Sequence, residues 1–222
     1  MSIREMAIEL HKKLRGKIET RSKYDVKSLE DLSLLYTPGV AAVSMEIFKD
    51  KSSAYDYTSK WNTIAIVTDG SRVLGLGDIG PEAALPVMEG KALLFKVFGG
   101  VDAVPICLAT QDTEEIINIV KKISPTFGAI NIEDIDSPRC FEIVDRLEKE
   151  LDIPVFHDDQ HGTAIVALAA LVNALKLVGK KLETANIVVA GAGAGGTGVV
   201  RLLLKAGARS IIVTDSRGII FQ

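Results

Sequence analysis

A glycine-rich loop set between an apolar run and an amphipathic segment restricts the fold of this chain more than any other feature. Residues 186–190 (NIVVA) predict a buried strand, and the loop GAGAGGTG follows at once over residues 191–198. A helix is predicted over about residues 195–206 and a second strand over residues 210–214. This order of elements predicts one β-α-β unit.

Three glycines of the loop, Gly191, Gly193 and Gly196, fit the pattern G-x-G-x-x-G. Because the pattern follows a strand and opens a helix, it indicates a dinucleotide site in which the pyrophosphate meets the free N–H groups of the helix N-terminus. Asp215, at the end of the next strand, would accept hydrogen bonds from the adenosine ribose and repel a 2′-phosphate. NAD is therefore favoured over NADP, although Arg217 could accommodate a phosphate. Tight strand-helix packing for the glycines and a turn cap for Asp215 stay open as structural alternatives.

A doubly wound dinucleotide domain has about six strands, and only two are predicted before the sequence ends. We therefore expect residues 162–222 to form a partial NAD-binding domain of the Rossmann type whose C-terminal half is absent. The long apolar run TAIVALAALVNALKLVG after Gly162 predicts a helix buried between this domain and a first domain, residues 1–161.

The first domain shows the same alternation of strands and helices. Apolar runs at residues 62–70, 102–109, 128–134 and 153–156 predict strands, and helices are predicted over about residues 81–98, 113–123 and 138–150. Such alternation is typical of an α/β fold with a largely parallel sheet.

Composition excludes several classes of protein. The formal net charge of −3 and the absence of a basic block argue against nucleic-acid binding. There is neither a secretory signal pattern nor a charge-free apolar run of about 18 residues, so we expect a cytoplasmic protein without a membrane span. The two cysteines are widely separated, which makes a disulfide framework or a thiolate metal site improbable.

Two acidic pairs follow predicted strands: Glu133-Asp134 and Asp158-Asp159. The carboxyl ends of parallel strands meet at one edge of a sheet, and clustered carboxylates are suited to Mg2+ or Mn2+. Neighbouring residues of a regular strand face opposite sides, so Glu133 and Asp134 can share a cation only if the strand has ended. Each pair could instead cap a helix or lie in a solvated turn. His157 and His161 stand four residues apart, as the two zinc-binding histidines of a helix do, but the glutamate of a zinc protease is missing between them. Gly162 also indicates that the helix begins only afterwards, so both histidines are expected to serve in orientation or hydrogen bonding.

Six motifs in order resemble those of malic enzymes, particularly the short prokaryotic type. They are LYTPGVA (35–41), SRVLGLGDIG (71–80), MEGKALLF (88–95), NIEDI (131–135), FHDDQHGTA (156–164) and the glycine loop. The resemblance covers essentially the whole chain. It implies oxidative decarboxylation of (S)-malate to pyruvate and carbon dioxide with reduction of NAD or NADP, and it implies an N-terminal substrate and metal domain over residues 1–161.

The same resemblance implies roles for individual side chains. By its motifs Tyr36 is the general acid, Lys91 the general base, Asp158 the support of that lysine, and Arg72 the group that binds a malate carboxylate. The implied metal ligands are Glu133, Asp134 and Asp159. Because the base must be neutral to accept a proton, we expect burial beside a cation to lower the pKa of Lys91.

Two other functions stay open. A malolactic enzyme would use the same cofactor and metal but end at lactate, and a truncated chain could be a non-catalytic binding module. The resemblance further implies a homodimer with N-terminal elements such as Tyr36 near its interface.

Overall fold

The computed structural model describes residues 2–221, which form two β-sheets and the helices packed on them. The strands are β1 (Thr63–Thr68), β2 (Asp102–Cys107), β3 (Ala129–Ile132), β4 (Val155–His157), β5 (Asn186–Ala190), β6 (Ser210–Asp215) and β7 (Gly218–Phe221). The helices are α1 (Ile3–Leu14), α2 (Leu29–Leu35), α3 (Val40–Lys49), α4 (Ala54–Tyr57), α5 (Gly80–Gly99), α6 (Thr113–Ile123), α7 (Arg139–Glu150), α8 (Thr163–Leu177) and α9 (Ala194–Lys205). The predicted α/β class is confirmed.

The first sheet is parallel throughout and has the strand order β2-β1-β3-β4. Its two faces bury different side chains, because successive residues of a strand point to opposite sides. Ile66 faces Met88 and Ala92 of α5, whereas Ala65 and Val67 belong to a larger apolar cluster with residues of α6 and α7. Helices therefore cover both faces, as a parallel sheet requires.

The second sheet has the order β5-β6-β7, and only β5 and β6 pair in parallel. The predicted β-α-β unit is therefore confirmed. The last strand was not predicted: β7 folds back antiparallel on β6 after the turn at Ser216 and Arg217. The run GIIF carries β-branched residues behind a turn that contains glycine, and this pattern is typical of a hairpin strand.

Helix α8 departs from its predicted burial. Only Ala164 and Leu175 are buried along it, and Ile165, Val166 and Leu177 are exposed by 55%, 66% and 89%. Within residues 2–221 the helix packs against α9 and the preceding turn, so one side alone is covered. The continuous helix over Asp158–Leu177 is long and apolar enough to cross a membrane by length and hydropathy, a weak indication because core helices of soluble proteins pass the same test.

The N-terminal helices lie on the outside of the described structure. Helices α1, α2 and α3 contain no buried residue. Their large apolar side chains are instead exposed, and they include Ile3, Leu29, Leu34, Tyr36 and Phe48. Exposed apolar side chains of this size are suited to association with another surface.

Candidate functional site

The loops after β1, β3 and β4 open into one cavity of 1190 Å³. The second unit reaches the same cavity, since Gly193, Ala194 and Gly195 at the start of α9 also line it. Its ionisable lining residues are Lys17, Arg72, Asp78, Lys91, Glu133, Asp134, Asp136, Asp158 and Asp159. The cavity thus brings together most of the residues predicted for the site.

Strand β3 ends at Ile132, directly before the first acidic pair. Asp134 has a φ of 51°, a left-handed backbone conformation that aspartate tolerates better than most residues do. The chain therefore turns between Glu133 and Asp134, and the two side chains no longer alternate across a strand. Because the strand has ended, Glu133 and Asp134 can bind the same cation.

The second acidic pair lies on a turn of π-helix, Asp158–Gly162, which joins β4 to α8. π-turns of this kind occur frequently at functional sites. One oxygen each from Glu133, Asp134 and Asp159 lies within 4.8 Å of the other two. Oδ2 of Asp134 is buried without a hydrogen-bond partner among the described residues. Three hard oxygen donors, one of them unpartnered, fit Mg2+ or Mn2+.

Burial shifts the pKa values of this acidic group. It raises the pKa of Glu133 to about 7, against the opposing charge of Lys91. Burial and the charge of Asp159 raise the pKa of Asp134 to about 6. In the protein alone, burial and mutual repulsion destabilise the ionised forms of these carboxylates. A divalent cation between them would favour the ionised forms.

Lys91 projects from α5 between the two acidic pairs. Its Nζ donates a hydrogen bond of 2.6 Å to Oδ2 of Asp158 and lies 3.0 Å from Oε1 of Glu133. Burial lowers the pKa of Lys91, but the hydrogen bond to Asp158 and the charge of Glu133 outweigh burial, and the pKa is raised overall. In the protein alone two carboxylates thus stabilise the ammonium form, and the lowering expected beside a bound cation stays a prediction.

Arg72 lines the cavity, and its backbone N–H donates a hydrogen bond of 3.1 Å to the carbonyl oxygen of Asp134. The loop that carries Arg72 is held by contacts of Arg139, which we call the brace and which sequence reasoning missed. Nη2 of Arg139 lies 2.9 Å from Oδ2 of the fully buried Asp69 and 3.0 Å from Oγ of Ser71. The brace joins residues 70 positions apart, so no local pattern could have indicated it.

Tyr36 is not brought to this group. It follows the last residue of α2, is 72% exposed, and is absent from the cavity lining within residues 2–221. Lys17 from the same N-terminal segment does reach the cavity, and its Nζ donates a hydrogen bond to the carbonyl oxygen of Pro86. The sequence held no signal for Lys17.

The glycine loop lies as predicted between β5 and α9. Gly191 has a φ of 111°, and Gly193 precedes the first residue of α9. A Cβ atom at Gly196 would collide with the carbonyl oxygen of Gly191, so close strand-helix packing does require glycine there. A Cβ atom at Gly198 would collide with the carbonyl of Gln160, because α9 lies directly on the turn that carries Asp159.

Asp215 ends β6, as predicted, but its carboxylate is engaged by a neighbour. Oδ1 accepts a hydrogen bond of 2.7 Å from the backbone N–H of Arg217, and Oδ2 lies 3.1 Å from Nη2 of the same residue. The backbone hydrogen bond from Arg217 and the guanidinium group hold the pKa of Asp215 below its usual value. The predicted turn cap is thus present, and a ribose would share the carboxylate with it.

Two family models match the chain. The model of the malic enzyme N-terminal domain matches residues 15–148, and that of the malic enzyme NAD binding domain matches residues 160–220.

Relatives of known function are similar over nearly the whole chain. A bifunctional malic/malolactic enzyme of Bacillus subtilis is 57% identical, with 100% of this chain and 54% of that protein covered. An NAD-dependent malic enzyme of Geobacillus stearothermophilus is 64% identical, with 93% and 43% covered. The crystal structure of an NAD-dependent malic enzyme of Thermotoga maritima superposes with a TM-score of 0.95 at 54% identity, over 97% of this chain and 57% of that one. The chain spans about half the length of these relatives.

Proposed function

The chain belongs to the malic enzyme family, and from that premise we propose that the full-length protein oxidises (S)-malate and decarboxylates it to pyruvate and carbon dioxide. NAD or NADP would take the hydride from C2, and Mg2+ or Mn2+ would act as the Lewis acid during loss of carbon dioxide. The observation that carries the proposal is the single cavity shared by the acidic group, Lys91, Arg72 and the start of α9.

The residues present fit both groups. Glu133, Asp134 and Asp159 would hold the cation through carboxylate oxygens. Gly191, Gly193 and Gly196 would allow the pyrophosphate to approach the N-terminus of α9, and Asp215 would bind the adenosine ribose. We propose a domain boundary between residues 161 and 162, which places the cation ligands before it and the glycine loop after it.

In this proposal the chain's own residues bind malate and move its protons. Arg72 binds a carboxylate of malate through its planar guanidinium group. Lys91 in its neutral form accepts the proton of the C2 hydroxyl group, and Asp158 orients the Lys91 nitrogen through the 2.6 Å hydrogen bond. The resemblance implies that Tyr36 protonates C3 of the enolate that remains after decarboxylation, so that pyruvate leaves. Because Tyr36 lies outside the cavity formed by residues 2–221, the step requires that the segment carrying Tyr36 reaches a cavity in the assembled protein.

The test is malate-dependent reduction of NAD by the full-length protein with Lys91→Ala. We expect turnover to fall by at least about 100-fold, since loss of a general base costs about 10² to 10⁴ in rate. Lys96→Ala is the matched control, because Lys96 lies on the same helix but pairs with Asp102 at the surface. Turnover of Lys91→Ala near that of the control would exclude Lys91 as the base.

A malolactic reaction is the second candidate, because one similar relative is named a bifunctional malic/malolactic enzyme. Both reactions would use the same acidic group and glycine loop, so only the product distinguishes them. Pyruvate with accumulated NADH supports the malic reaction. Lactate without net NADH supports the malolactic one.

We further propose a cytoplasmic homodimer in which α1, α2 and α3 lie at the interface. The support is that these helices contain no buried residue while Leu29, Leu34 and Phe48 are exposed. Pairing through this segment would also cover Tyr36. Light scattering of the full-length protein measures the mass, and a monomer at micromolar concentration would contradict the proposal.

A further inference from the structure

Asn131 is a polar residue at a buried strand position where an apolar residue is usual. It lies near the middle of β3, is 1% exposed, and stands in register with Ile66 on one neighbouring strand and Phe156 on the other. Residues in register share a face of the sheet, and Ile66 packs against Met88 and Ala92 of α5. Packing alone would favour valine or isoleucine at this position.

The amide of Asn131 is only half satisfied. Nδ2 donates a hydrogen bond of 2.8 Å to Oε2 of Glu133. Oδ1 is buried and has no donor among residues 2–221. A buried acceptor without a partner destabilises a fold, so the stability of the sheet does not explain this side chain.

The contact of Asn131 determines how Glu133 lies. One carboxylate oxygen of Glu133 accepts from Asn131, and the other lies 3.0 Å from Nζ of Lys91. With both oxygens engaged and the side chain 6% exposed, the carboxylate has little freedom to rotate. In this orientation it faces Asp134 and Asp159.

We propose that Asn131 is a positioning residue that holds the Glu133 carboxylate in the orientation needed to bind the divalent cation. The inference rests on the proposed function, because it concerns the same acidic group. It adds a residue that touches neither cation nor substrate and acts only through Glu133. Hydrogen bonds to a ligating carboxylate of this kind commonly change metal affinity by about 10-fold to 100-fold.

The experiment measures Mn2+ binding to the full-length protein by electron paramagnetic resonance of the free ion, so that no turnover is needed. Asn131→Leu keeps a similar volume and removes the donor. We expect its Kd for Mn2+ to rise about 10-fold or more while its Kd for NAD stays unchanged. Asn173→Leu is the matched control, because Asn173 is an exposed asparagine on α8 that bonds only the carbonyl of Ala169, and both Kd values should stay unchanged.

Mn2+ affinity of Asn131→Leu equal to that of the control would overturn the proposal, as would an equal loss of NAD affinity, which indicates general damage to the fold. If Asn131→Leu does not fold, Asn131→Ala is measured with the same expectations. Glu133→Gln separates the two proposals. If it weakens Mn2+ binding and the Asn131 variants do not, only the role of Asn131 fails; if it binds Mn2+ like the unmodified protein, the proposed metal site fails as well.

Discussion

The two sheets of this chain are built from similar apolar strands but are covered very differently. In the first sheet, Ala65–Thr68 of β1 and Ile130–Ile132 of β3 are buried, with helices on both faces. In the second sheet, alternate residues of β5 are exposed, and Val188 is 64% exposed. The acidic group follows strands of the well-covered sheet, whereas the glycine loop follows a strand of the other sheet. Within residues 2–221, the acidic group is therefore attached to the sheet whose strands are better covered.

The largest effect expected from this difference compares one apolar strand residue from each sheet. Ile132→Ala should lower the free energy of unfolding by about 3 kcal/mol, since it leaves a cavity in a closed core. Val188→Ala should change it by less than about 0.5 kcal/mol, because that side chain is largely exposed. Urea unfolding of both variants measures the contrast. Similar losses would show that the second sheet is as well packed as the first.

A second comparison uses the two arginine pairs. Arg139→Met leaves the fully buried Asp69 without its partner and should cost about 3 kcal/mol. Arg201→Met removes a pair with Asp145 in which both side chains are close to half exposed, and should cost about 1 kcal/mol or less. Unfolding in urea again provides the measurement, with circular dichroism to show that both variants fold. A smaller loss for Arg139→Met than for Arg201→Met would contradict the ranking.

The acidic group predicts an unusual dependence of stability on pH. The pKa values of Glu133 and Asp134 are raised to about 7 and about 6, so both groups favour folding when protonated. That contribution is complete below their unfolded values and is lost as pH rises through about 7. Glu133 alone titrates about two pH units above pH 5 and should therefore cost metal-free protein about 3 kcal/mol of stability between about pH 5 and pH 8. In Glu133→Gln the side chain stays neutral, so the melting temperature should depend less on pH over this range. An unchanged slope of melting temperature against pH would rule out Glu133 as the source.

The smallest effect is expected at the edge of the second sheet. Arg217→Ala frees the Asp215 carboxylate from its exposed partner and should leave the melting temperature unchanged. In the full-length protein we expect the preference for NAD over NADP to increase about twofold to fivefold, because a cation near the ribose is lost. Kd values for both dinucleotides measure this change. A decreased preference would show that Arg217 does not favour the 2′-phosphate.

Local patterns were sufficient for most of the architecture. The apolar runs gave the strands to within a few residues, and the rule that parallel strands end at one edge was enough to expect the pairs Glu133-Asp134 and Asp158-Asp159 together. The resemblance to malic enzymes then singled out Glu133, Asp134 and Asp159. Whether the first two could share a cation depended on the backbone at Asp134, which no pattern specifies. The antiparallel β7 was not predicted, because the β-α-β pattern favours a further parallel strand.

Features that depend on distant partners could not be predicted. The brace of Arg139 on Asp69 joins a helix to a loop 70 residues away. The raised pKa of Lys91 in the protein alone depends on the distances to two carboxylates from separate segments, Glu133 after β3 and Asp158 after β4. The exposure of α8 shows that an apolar composition makes a helix suited to burial. Whether its side chains are buried depends on the elements that lie beside it.

The close approach at Gly198 limits how this molecule can move. Because α9 touches the Gln160 carbonyl with no side chain between them, the helix that begins at the glycine loop and the turn that carries Asp159 can slide past each other very little. A ligand seated on the loop and an ion held by the turn would then travel as one body. Opening of the cleft would then involve the loops that carry Arg72 and Lys17, which line the same cavity.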